Sequence, residues 1–312
     1  MRCHWLLARS TLLSRLYLAA CRHLLPDDVP ALRQRAKNIL SLVDWPAAVL
    51  RPRLVRVGSS TDIYLTPHNR EFDIEAVLGG RLTYEPEVFA LLDKIADTYD
   101  TVIEIGANVG IFTTYLATRL MATRPDARIF AFEPSAEAYR RLHENLALNT
   151  SQNVTALNAA ISFRSGFARF YEPRGHLTNG SLNMDFASSF DEIPSQNWIV
   201  TLKGASLFEL TKDAKRILFK IDVEGFEAEV LRSLAPIIEQ QRPDILIEAL
   251  PDFEAAINDT MDFSALGYRF YGLASDGLVA MDRIGTVDGR DCFLTACNDT
   301  VAIALRHDSA VR

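Results

Sequence analysis

The pattern of apolar and polar residues predicts a repeating strand–helix order through the middle of the chain. Short apolar segments at 101–105, 128–132 and 153–157 predict strands, and helices with one apolar face are predicted between them at about 110–121 and 136–148. Strands that alternate with helices through short connections are typical of a parallel sheet with helices on both faces. The predicted fold class is therefore doubly wound α/β.

The same order resumes in the second half of the chain. Four further strands are predicted, at 216–221, 244–247, 268–273 and 292–296. The apolar spacing after the first of these predicts a helix at about 225–234. Residues 162–215 show no clear periodicity, and an insertion of this length is more often functional than accidental. We assign it to substrate handling, with a structural cap as the alternative.

Further elements are predicted before the first parallel strand. Residues 53–57 and 61–65 alternate around a Gly-Ser-Ser turn and predict a hairpin. The segment 86–96 predicts a helix with proline at its first turn. Residues 1–52 contain prolines that divide them into a leading helical stretch, a second short helix near 31–43 and a loop.

Charge differs between the two predicted parts of the chain, a basic extension at 1–52 and a main domain at 53–312 whose core is 84–297. Residues 1–56 contain nine arginines and one lysine against three aspartates, a net charge of +7. Since the whole chain has a net charge of −7, the remaining residues carry −14. An acidic body argues against sequence-independent binding of nucleic acid, which requires Lys and Arg to neutralise phosphates. The basic extension could contact an anionic membrane surface or a protein partner. The simpler interpretation is a helical extension packed on its own body or on a second subunit.

Composition indicates a globular protein, with 48% hydrophobic and 23% charged residues. The chain has no run of 18 or more apolar residues, so we do not expect a membrane-spanning helix. Its four cysteines, Cys3, Cys21, Cys292 and Cys297, are too few and too scattered for a disulfide framework. We therefore expect free thiols in a reducing, cytoplasmic compartment.

The turn after the first parallel strand has the pattern of a nucleotide-binding turn and reads Glu104-Ile105-Gly106-Ala107-Asn108-Val109-Gly110. Gly106 allows a tight turn and close approach of a ligand, and Gly110 allows the helix to pack closely on the sheet. The third glycine of a dinucleotide fingerprint is missing, and Glu104 would oppose a pyrophosphate. The same acid suits the cationic amino and sulfonium groups of S-adenosylmethionine. The alternative is a glycine turn without a ligand.

The ends of the second and third strands carry further candidate residues. Glu133, followed by Pro134, can accept hydrogen bonds from both hydroxyls of a ribose. Its alternative role is to stabilise the N-terminus of the next helix. Asn158, Ala159 and Ala160 are small enough to leave room for an adenine, or form a simple exit turn.

Acidic residues crowd the end of the fourth predicted strand. Asp222, Glu224 and Glu227 follow this apolar strand, and Glu248 ends the next strand along the chain. Ligands in open α/β sheets bind at the carboxyl ends of the strands, and a buried carboxylate is costly without a partner. A functional role is therefore favoured over a structural ion pair with Lys220.

These segments together resemble the FkbM family of methyltransferases. The matching segments are Tyr84-Glu85-Pro86-Glu87, Glu104–Gly110, Phe132-Glu133-Pro134, Glu144-Asn145-Leu146 with Asn149, Asn158-Ala159-Ala160, and Lys220–Gly225 with Glu227. The resemblance implies a class I, Rossmann-like methyltransferase fold with seven strands and an antiparallel final strand. It also implies S-adenosylmethionine as cofactor, with Glu85 among its contacts, and a hydroxyl on a sugar, glycan or natural product as acceptor.

Methyl transfer to a hydroxyl needs a group that orients the acceptor and receives its proton. Asp222 is the first candidate, Glu224 the second and His176, in the insertion, the third. Asp222 with Glu248 could alternatively hold a divalent cation, but the sequence identifies no third ligand, and we predict no metal.

Two other functions fit parts of the sequence. An NAD-dependent oxidoreductase could use the same sheet, although the missing third glycine and Glu104 count against it. A non-catalytic binding or scaffold protein could retain the fold. The intact first turn, Glu133, Asp222 and Glu224 oppose this alternative, whereas the basic extension and Lys203, where the family commonly has aspartate, leave it open.

Overall fold

A computed structural model describes residues 9–24, 43–69, 80–175 and 177–305, together with Leu7 and Ile74. The strands are β1 (Arg53–Val57), β2 (Thr61–Leu65), β3 (Thr101–Ile105), β4 (Arg128–Phe132), β5 (Val154–Leu157), β6 (Ala160–Ser162), β7 (Gly166–Glu172), β8 (Ser195–Lys203), β9 (Ile217–Ile221), β10 (Asp244–Glu248), β11 (Arg269–Ala274), β12 (Gly277–Met281) and β13 (Asp291–Thr295). The helices are α1 (Thr11–Leu24), α2 (Pro86–Ile95), α3 (Ile111–Thr123), α4 (Ala136–Leu148), α5 (Met184–Ser188), α6 (Phe208–Thr211), α7 (Glu227–Gln241), α8 (Glu254–Asn258) and α9 (Asn298–Ala304). Short 3₁₀ turns lie at Ala96–Thr98, Leu177–Asn179 and Gly204–Leu207.

The central sheet of the described residues has eight strands in the order β12-β11-β13-β10-β9-β3-β4-β5. Strands β5, β4, β3, β9 and β10 are parallel, and β13 lies antiparallel between β10 and β11. The seven strands predicted from the sequence are all present, and the antiparallel last strand agrees with the class I methyltransferase fold. The eighth strand, β12, was not predicted. It is a largely exposed edge strand paired with β11, although its residues Leu278–Met281 are all apolar.

Helices cover both faces of this sheet because successive strand residues point to opposite faces. On one face, Val102 of β3 belongs to a buried cluster with residues of α2 and α3, including Phe89 and Leu116. On the other face, Ile103 belongs to a second cluster with residues of α7, including Leu231. Strands β3, β9 and β10 are consequently buried along their whole length.

The helix predicted at about 225–234 starts within two residues of the observed helix but was wrong at its C-terminal end, since α7 runs from Glu227 to Gln241. It starts later because Glu224 and Gly225 have positive φ angles of 54° and 85°, which a right-handed helix does not allow. It continues through Pro236 because Ile237 and Ile238 extend its buried stripe and are fully covered. The other helices of the parallel region begin and end within two residues of the predicted positions.

The N-terminal part contains the predicted hairpin, in which β1 and β2 pair antiparallel. Helix α1 belongs to the predicted leading helical stretch, whereas the helix predicted near 31–43 lies outside the described residues. Tyr17 stacks on Trp45 at 6.1 Å between ring centroids, and Val49 and Ile74 pack in the same cluster. No helix in the described ranges is long and apolar enough to cross a bilayer.

The insertion at 162–215 contains more regular structure than its sequence pattern indicated. Strands β7 and β8 pair antiparallel, and β8 also pairs parallel with β6, forming a second sheet of three strands among the described residues. The exposed face of this sheet carries apolar side chains such as Phe167 and Trp198, at 77% and 64% exposure. This surface exposure breaks the usual alternation of apolar and polar residues, so the strands were not recognised in the sequence.

Candidate active site

A cavity of about 690 Å³, including the space at its mouth that is open to solvent, lies at the carboxyl ends of β3, β4 and β9. These three strands are neighbours, and the chain changes direction across the sheet at β3, the position where open α/β sheets bind ligands. The lining residues are Tyr84, Ile105, Gly106, Asn108, Phe132, Glu133, Pro134, Ala159, Ala160, Ile161, Phe170, Leu177, Thr178, Gly180, Leu182, Asp222, Val223, Glu224 and Phe226.

The turn after β3 is held between the ends of its two neighbouring strands. The amide of Gly106 donates to the carbonyl of Phe132 at 2.9 Å, and the amide of Asp222 donates to the carbonyl of Ile105 at 3.0 Å. Gly106 has a φ of +88°, and a Cβ atom there would lie 1.7 Å from the carbonyl oxygen of Asp222. Only glycine therefore fits this position without moving the backbone.

Gly110 serves a different contact from the one predicted. A Cβ atom at Gly110 would lie 2.1 Å from Cδ1 of Leu142 in α4, so the glycine allows close approach of that helix rather than of the sheet. Ala107 packs against the same leucine and Leu146. Both residues shape the turn without lining the cavity.

Glu133 is fixed at the end of β4 by two backbone amides. The amide of Asn108 donates to Oε2 and the amide of Ser135 donates to Oε1, each at 2.7 Å. A carboxylate has about four lone-pair sites, so both oxygens can accept further hydrogen bonds from the cavity. Burial, opposed by these two amides, raises the pKa of Glu133 to about 7. The site therefore suits a ligand that donates hydrogen bonds.

Asn108 combines an unusual backbone with an unused side-chain atom. Its φ angle is +49°, a conformation that asparagine adopts more readily than most residues. Its buried Oδ1 atom has no hydrogen-bond partner among the described residues, and the residue lines the cavity. A buried acceptor without a partner at a cavity wall indicates a position where a ligand donor binds.

The remaining residues predicted to bind the cofactor divide into two groups. Pro134, Ala159 and Asp222 line the cavity. Glu85 and Asn158 do not line it. The Nδ2 of Asn158 donates to the carbonyls of Glu133 and Pro134 at 2.8 and 3.0 Å and so supports the loop that carries them.

Glu104 lies beneath the cavity rather than on its wall. The side chain is buried, and its Oε2 accepts a hydrogen bond of 2.6 Å from the hydroxyl of Thr113. Burial raises its pKa to about 7, although Lys220 and Thr113 oppose the rise. Direct contact of Glu104 with a cofactor stays a prediction.

Lys220 is the cross-strand neighbour of Glu104 and pairs with Asp222. Its Nζ atom lies 2.9 Å from Oδ2 of Asp222 and 4.3 Å from the ring centroid of Phe112. Burial disfavours the lysine charge, but Asp222, Glu85 and Glu104 outweigh it and raise the pKa of Lys220. The structural ion pair considered from the sequence is thus present, and Asp222 also lines the cavity.

The loop after β9 is held in a strained conformation by the insertion. Glu224 has a φ of +54°, and its carbonyl accepts a hydrogen bond of 2.7 Å from the hydroxyl of Ser181. Nδ2 of Asn183 donates to the carbonyl of Gly225 at 3.2 Å. Glu85, at the start of α2, has a φ of +43°. Positive φ at such residues clusters at functional sites, where the surrounding structure enforces it.

A group of acidic side chains lies next to Asp222 and Glu224. Glu248 ends β10, and Asp291 begins β13. Asp222, Glu224 and Glu248 each offer one carboxylate oxygen, and these oxygens lie within 4.8 Å of one another, an arrangement able to hold a metal ion. Arg290 approaches this group, with Nε 3.2 Å from Oε1 of Glu248. Burial and neighbouring carboxylates raise the pKa of Glu224 to about 8 and that of Glu248 to about 10.

The structure adds cavity residues that the sequence did not identify. Phe170 of β7 is 4% exposed, and Thr178 and Leu182 follow it along the insertion. Tyr84 was part of a matched segment without an assigned role. No local signal marks the insertion residues, because their position depends on how the second sheet packs over the first. His176, the third catalytic candidate, lies outside the described residues.

Comparison with known proteins identifies the family. A sequence profile described as the methyltransferase FkbM domain matches residues 104–270, just over half of the chain. The hexuronic acid methyltransferase AglP of Haloferax volcanii is 30% identical over 207 residues, which cover 65% of this chain and 78% of AglP. The methyltransferase sdnD of Sordaria araneosa is 38% identical over 158 residues, 43% of this chain and 60% of sdnD.

Among solved structures, the methyltransferase FkbM of Methylobacillus flagellatus is similar at 14% identity. The match covers 63% of this chain but only 43% of that protein, with a TM-score of 0.39, and carries no weight in the assignment. The assignment therefore depends on the domain match, which includes the turn after β3, Glu133, Asp222 and Glu248. By that match, the chain belongs to the FkbM family of methyltransferases.

Proposed function

We propose that this methyltransferase binds S-adenosylmethionine in the cavity and methylates a hydroxyl of a sugar, glycan or natural product. The observation that supports this most directly is that Asn108, Glu133 and Asp222 line one cavity, although they belong to three separate strand ends. Glu104, another predicted polar contact, is buried in β3, whose end forms part of the cavity wall. This arrangement is expected of a site for one polar, positively charged nucleoside.

The chain's own atoms fit that cofactor. Glu133 retains lone pairs for ribose hydroxyls after binding the amides of Asn108 and Ser135. The unpaired Oδ1 of Asn108 offers a further acceptor, and Ala159 leaves space beside it. When bound, S-adenosylmethionine supplies a methyl group that its sulfonium already activates.

Asp222 and Glu224 are the residues proposed to position the acceptor. Asp222 is oriented by its ion pair with Lys220, so it suits the orientation of a hydroxyl. Glu224 has a pKa of about 8, which makes its ionised form a better proton acceptor than an ordinary carboxylate. The apolar wall around them, including Phe170 and Phe226, limits the access of water. A role for His176 stays a prediction.

Transfer of a radiolabelled methyl group from S-adenosylmethionine to a panel of hydroxylated sugars, sugar acids and natural products tests this function. One relative is named a hexuronic acid methyltransferase, so uronic acids belong in the panel. Asp222→Asn is expected to lower turnover more than affinity for S-adenosylhomocysteine, whereas the exposed Asp213→Asn leaves both unchanged. Absence of S-adenosylhomocysteine binding by calorimetry, or binding of NAD⁺ in its place, would contradict the proposal. Cofactor binding without transfer to any acceptor would favour the non-catalytic alternative.

For the basic extension we propose a peripheral contact with an anionic membrane surface. In α1, Leu12, Leu13 and Leu16 are 42–69% exposed, and Arg15 is exposed beside them. Exposed leucines next to arginine are typical of an interfacial helix. Co-sedimentation with phosphatidylserine vesicles, but not with phosphatidylcholine vesicles, is expected, and Leu12→Ser with Leu16→Ser should reduce it. Equal recovery with both vesicle types would exclude this contact. A cytoplasmic location stays a sequence-based prediction.

A further inference from the structure

Asp222, Glu224 and Glu248 bring three carboxylates close together, an arrangement that the proposed methyl transfer does not require. β9 and β10 are parallel neighbours in which Ile221 is paired with Ile247, so Asp222 and Glu248 come to the same edge of the sheet. The positive φ of Glu224 turns the chain back next to them. One carboxylate oxygen of each residue lies within 4.8 Å of the others.

Unpartnered buried atoms indicate that something is bound between these side chains. Glu248 is 3% exposed, and its Oε2 has no hydrogen-bond partner among the described residues. Oε2 of Glu224 is buried and unpartnered in the same part of the structure. Native proteins rarely leave buried carboxylate oxygens without a proton donor or a cation, because burial removes their hydration.

The nearby basic residues do not supply enough positive charge. Lys220 is engaged by Oδ2 of Asp222, and Arg290 is engaged by Oε1 of Glu248. Against these two cations lie the carboxyl groups of Glu85, Glu104, Asp222, Glu224, Glu248 and Asp291, with Glu227 next to them. Like-charge repulsion must therefore be relieved either by protons or by a further cation.

We propose that Asp222, Glu224 and Glu248 bind one hard divalent cation, such as Mg²⁺, Mn²⁺ or Ca²⁺. Carboxylate oxygens are the ligands these ions prefer. Two oxygen ligands on opposite sides of Ca²⁺ lie up to about 5 Å apart, and those on opposite sides of Mg²⁺ lie about 4 Å apart. The observed spacing of the carboxylate oxygens therefore accepts Ca²⁺ directly. It accepts Mg²⁺ after a small side-chain rotation. The sequence predicted no metal because Glu224 could not be recognised as the third ligand.

The position of the ion gives it access to the substrate cavity. Asp222 and Glu224 line the cavity, whereas Glu248 lies behind them. Three protein ligands leave further coordination positions of such an ion open. Because two of the ligands line the cavity, a polar oxygen of an acceptor bound there can take one of these positions. This last step rests on the proposed function; binding of the cation does not.

Binding of the metal alone tests the site in the full-length protein after treatment with a chelator. Free Mn²⁺ is measured by electron paramagnetic resonance, and competition with Mg²⁺ and Ca²⁺ follows. We expect one saturable site with a dissociation constant below roughly 1 mM. Glu248→Gln should weaken Mn²⁺ binding at least about tenfold. Absence of a saturable site in the wild-type protein would refute the proposal.

A matched variant distinguishes direct ligation of the ion from attraction by the negative charge of the whole carboxyl group cluster. Glu227→Gln removes one negative charge from the same group of carboxyls, and its new side-chain oxygen can still accept from the amides of Val223 and Gly225. It is expected to change Mn²⁺ affinity less than about threefold, since Glu227 is not a ligand. Equal weakening by Glu227→Gln and Glu248→Gln would show that charge alone attracts the ion and would overturn the site. Circular dichroism spectra show whether Glu248→Gln is folded. Glu224→Gln removes a proposed ligand from a less buried position, where the risk of misfolding is smaller.

The outcome for the metal is distinguishable from the outcome for methyl transfer. Calorimetry with S-adenosylhomocysteine reports the cofactor site, and Mn²⁺ binding reports the carboxylate site. Mn²⁺ binding without methyl transfer to any acceptor would support the cation site and contradict the proposed function. Methyl transfer that persists in chelator, with no Mn²⁺ bound, would support the proposed function and contradict the cation site.

Discussion

Nζ of Lys220 lies 2.9 Å from Oδ2 of Asp222, and the lysine side chain is only 3% exposed. This pair joins the buried interior of the sheet to the cavity wall, because Asp222 is 21% exposed and lines the cavity. Lys220 also faces Glu104 across the strands. One buried cation therefore balances acids that belong to both the cofactor side and the acceptor side of the proposed site.

Replacement of Lys220 by methionine is expected to destabilise the protein by about 3–5 kcal/mol, since it leaves buried carboxylates without their cation. Urea unfolding of the variant measures this loss. Lys212→Met provides the control, because Lys212 pairs with Glu209 on the surface, and should leave stability nearly unchanged. Similar effects of the two substitutions would mean that Lys220 has no special role in the stability of the site.

Replacement of Glu133 by glutamine is expected to weaken the binding of S-adenosylhomocysteine roughly tenfold. The substitution keeps the size of the side chain but removes the charge that strengthens hydrogen bonds from ribose hydroxyls. Isothermal titration calorimetry measures the dissociation constant. Glu137→Gln, one turn away on the surface of α4, should bind as the wild type does. Unchanged affinity in Glu133→Gln would remove this residue from the cofactor site.

Stability is expected to fall as the pH rises from about 5 to 8, partly because of Glu104. Its pKa of about 7 in the folded protein lies above the ordinary value of 4.5, so the folded state holds a proton that the unfolded state releases. The stabilising contribution is complete below pH 4.5 and disappears as the pH rises through 7. Glu104→Gln should therefore reduce the difference in unfolding free energy between pH 5 and pH 8. Glu239→Gln, on the exposed surface of α7, should leave the difference unchanged, and an equal slope in all three proteins would contradict the assignment.

Replacement of Gly106 by alanine is expected to abolish binding of S-adenosylhomocysteine and to lower the melting temperature by several degrees. The added Cβ atom would overlap the carbonyl oxygen of Asp222 in a backbone conformation that disfavours alanine. Gly175→Ala is a matched control, because Gly175 has a similar φ of +77° but open space around its Cβ position. It should cost only the conformational strain, about 1–2 kcal/mol, without loss of ligand binding. Normal ligand binding by Gly106→Ala would show that the turn does not form part of the site.

The sequence by itself determined the order of strands and helices, the turn at Gly106 and the acids at the strand ends. These features depend on apolar periodicity and on local conformational preference, both of which act over a few neighbouring residues. It also indicated that Glu133 and Asp222 face one ligand, because the carboxyl ends of parallel strands meet at one edge. The actual adjacency of their strands to β3 followed only from the folded topology.

Only the tertiary structure decided which acids touch one another and what closes the cavity. Glu224 and Glu248 come together because β9 and β10 are neighbours and because the backbone at Glu224 adopts a positive φ. Phe170, on the second sheet, lines the same cavity as residues at the strand ends of the central sheet. Such contacts join residues far apart in the chain, and they depend on strand order and side-chain packing, for which a single sequence carries no local signal.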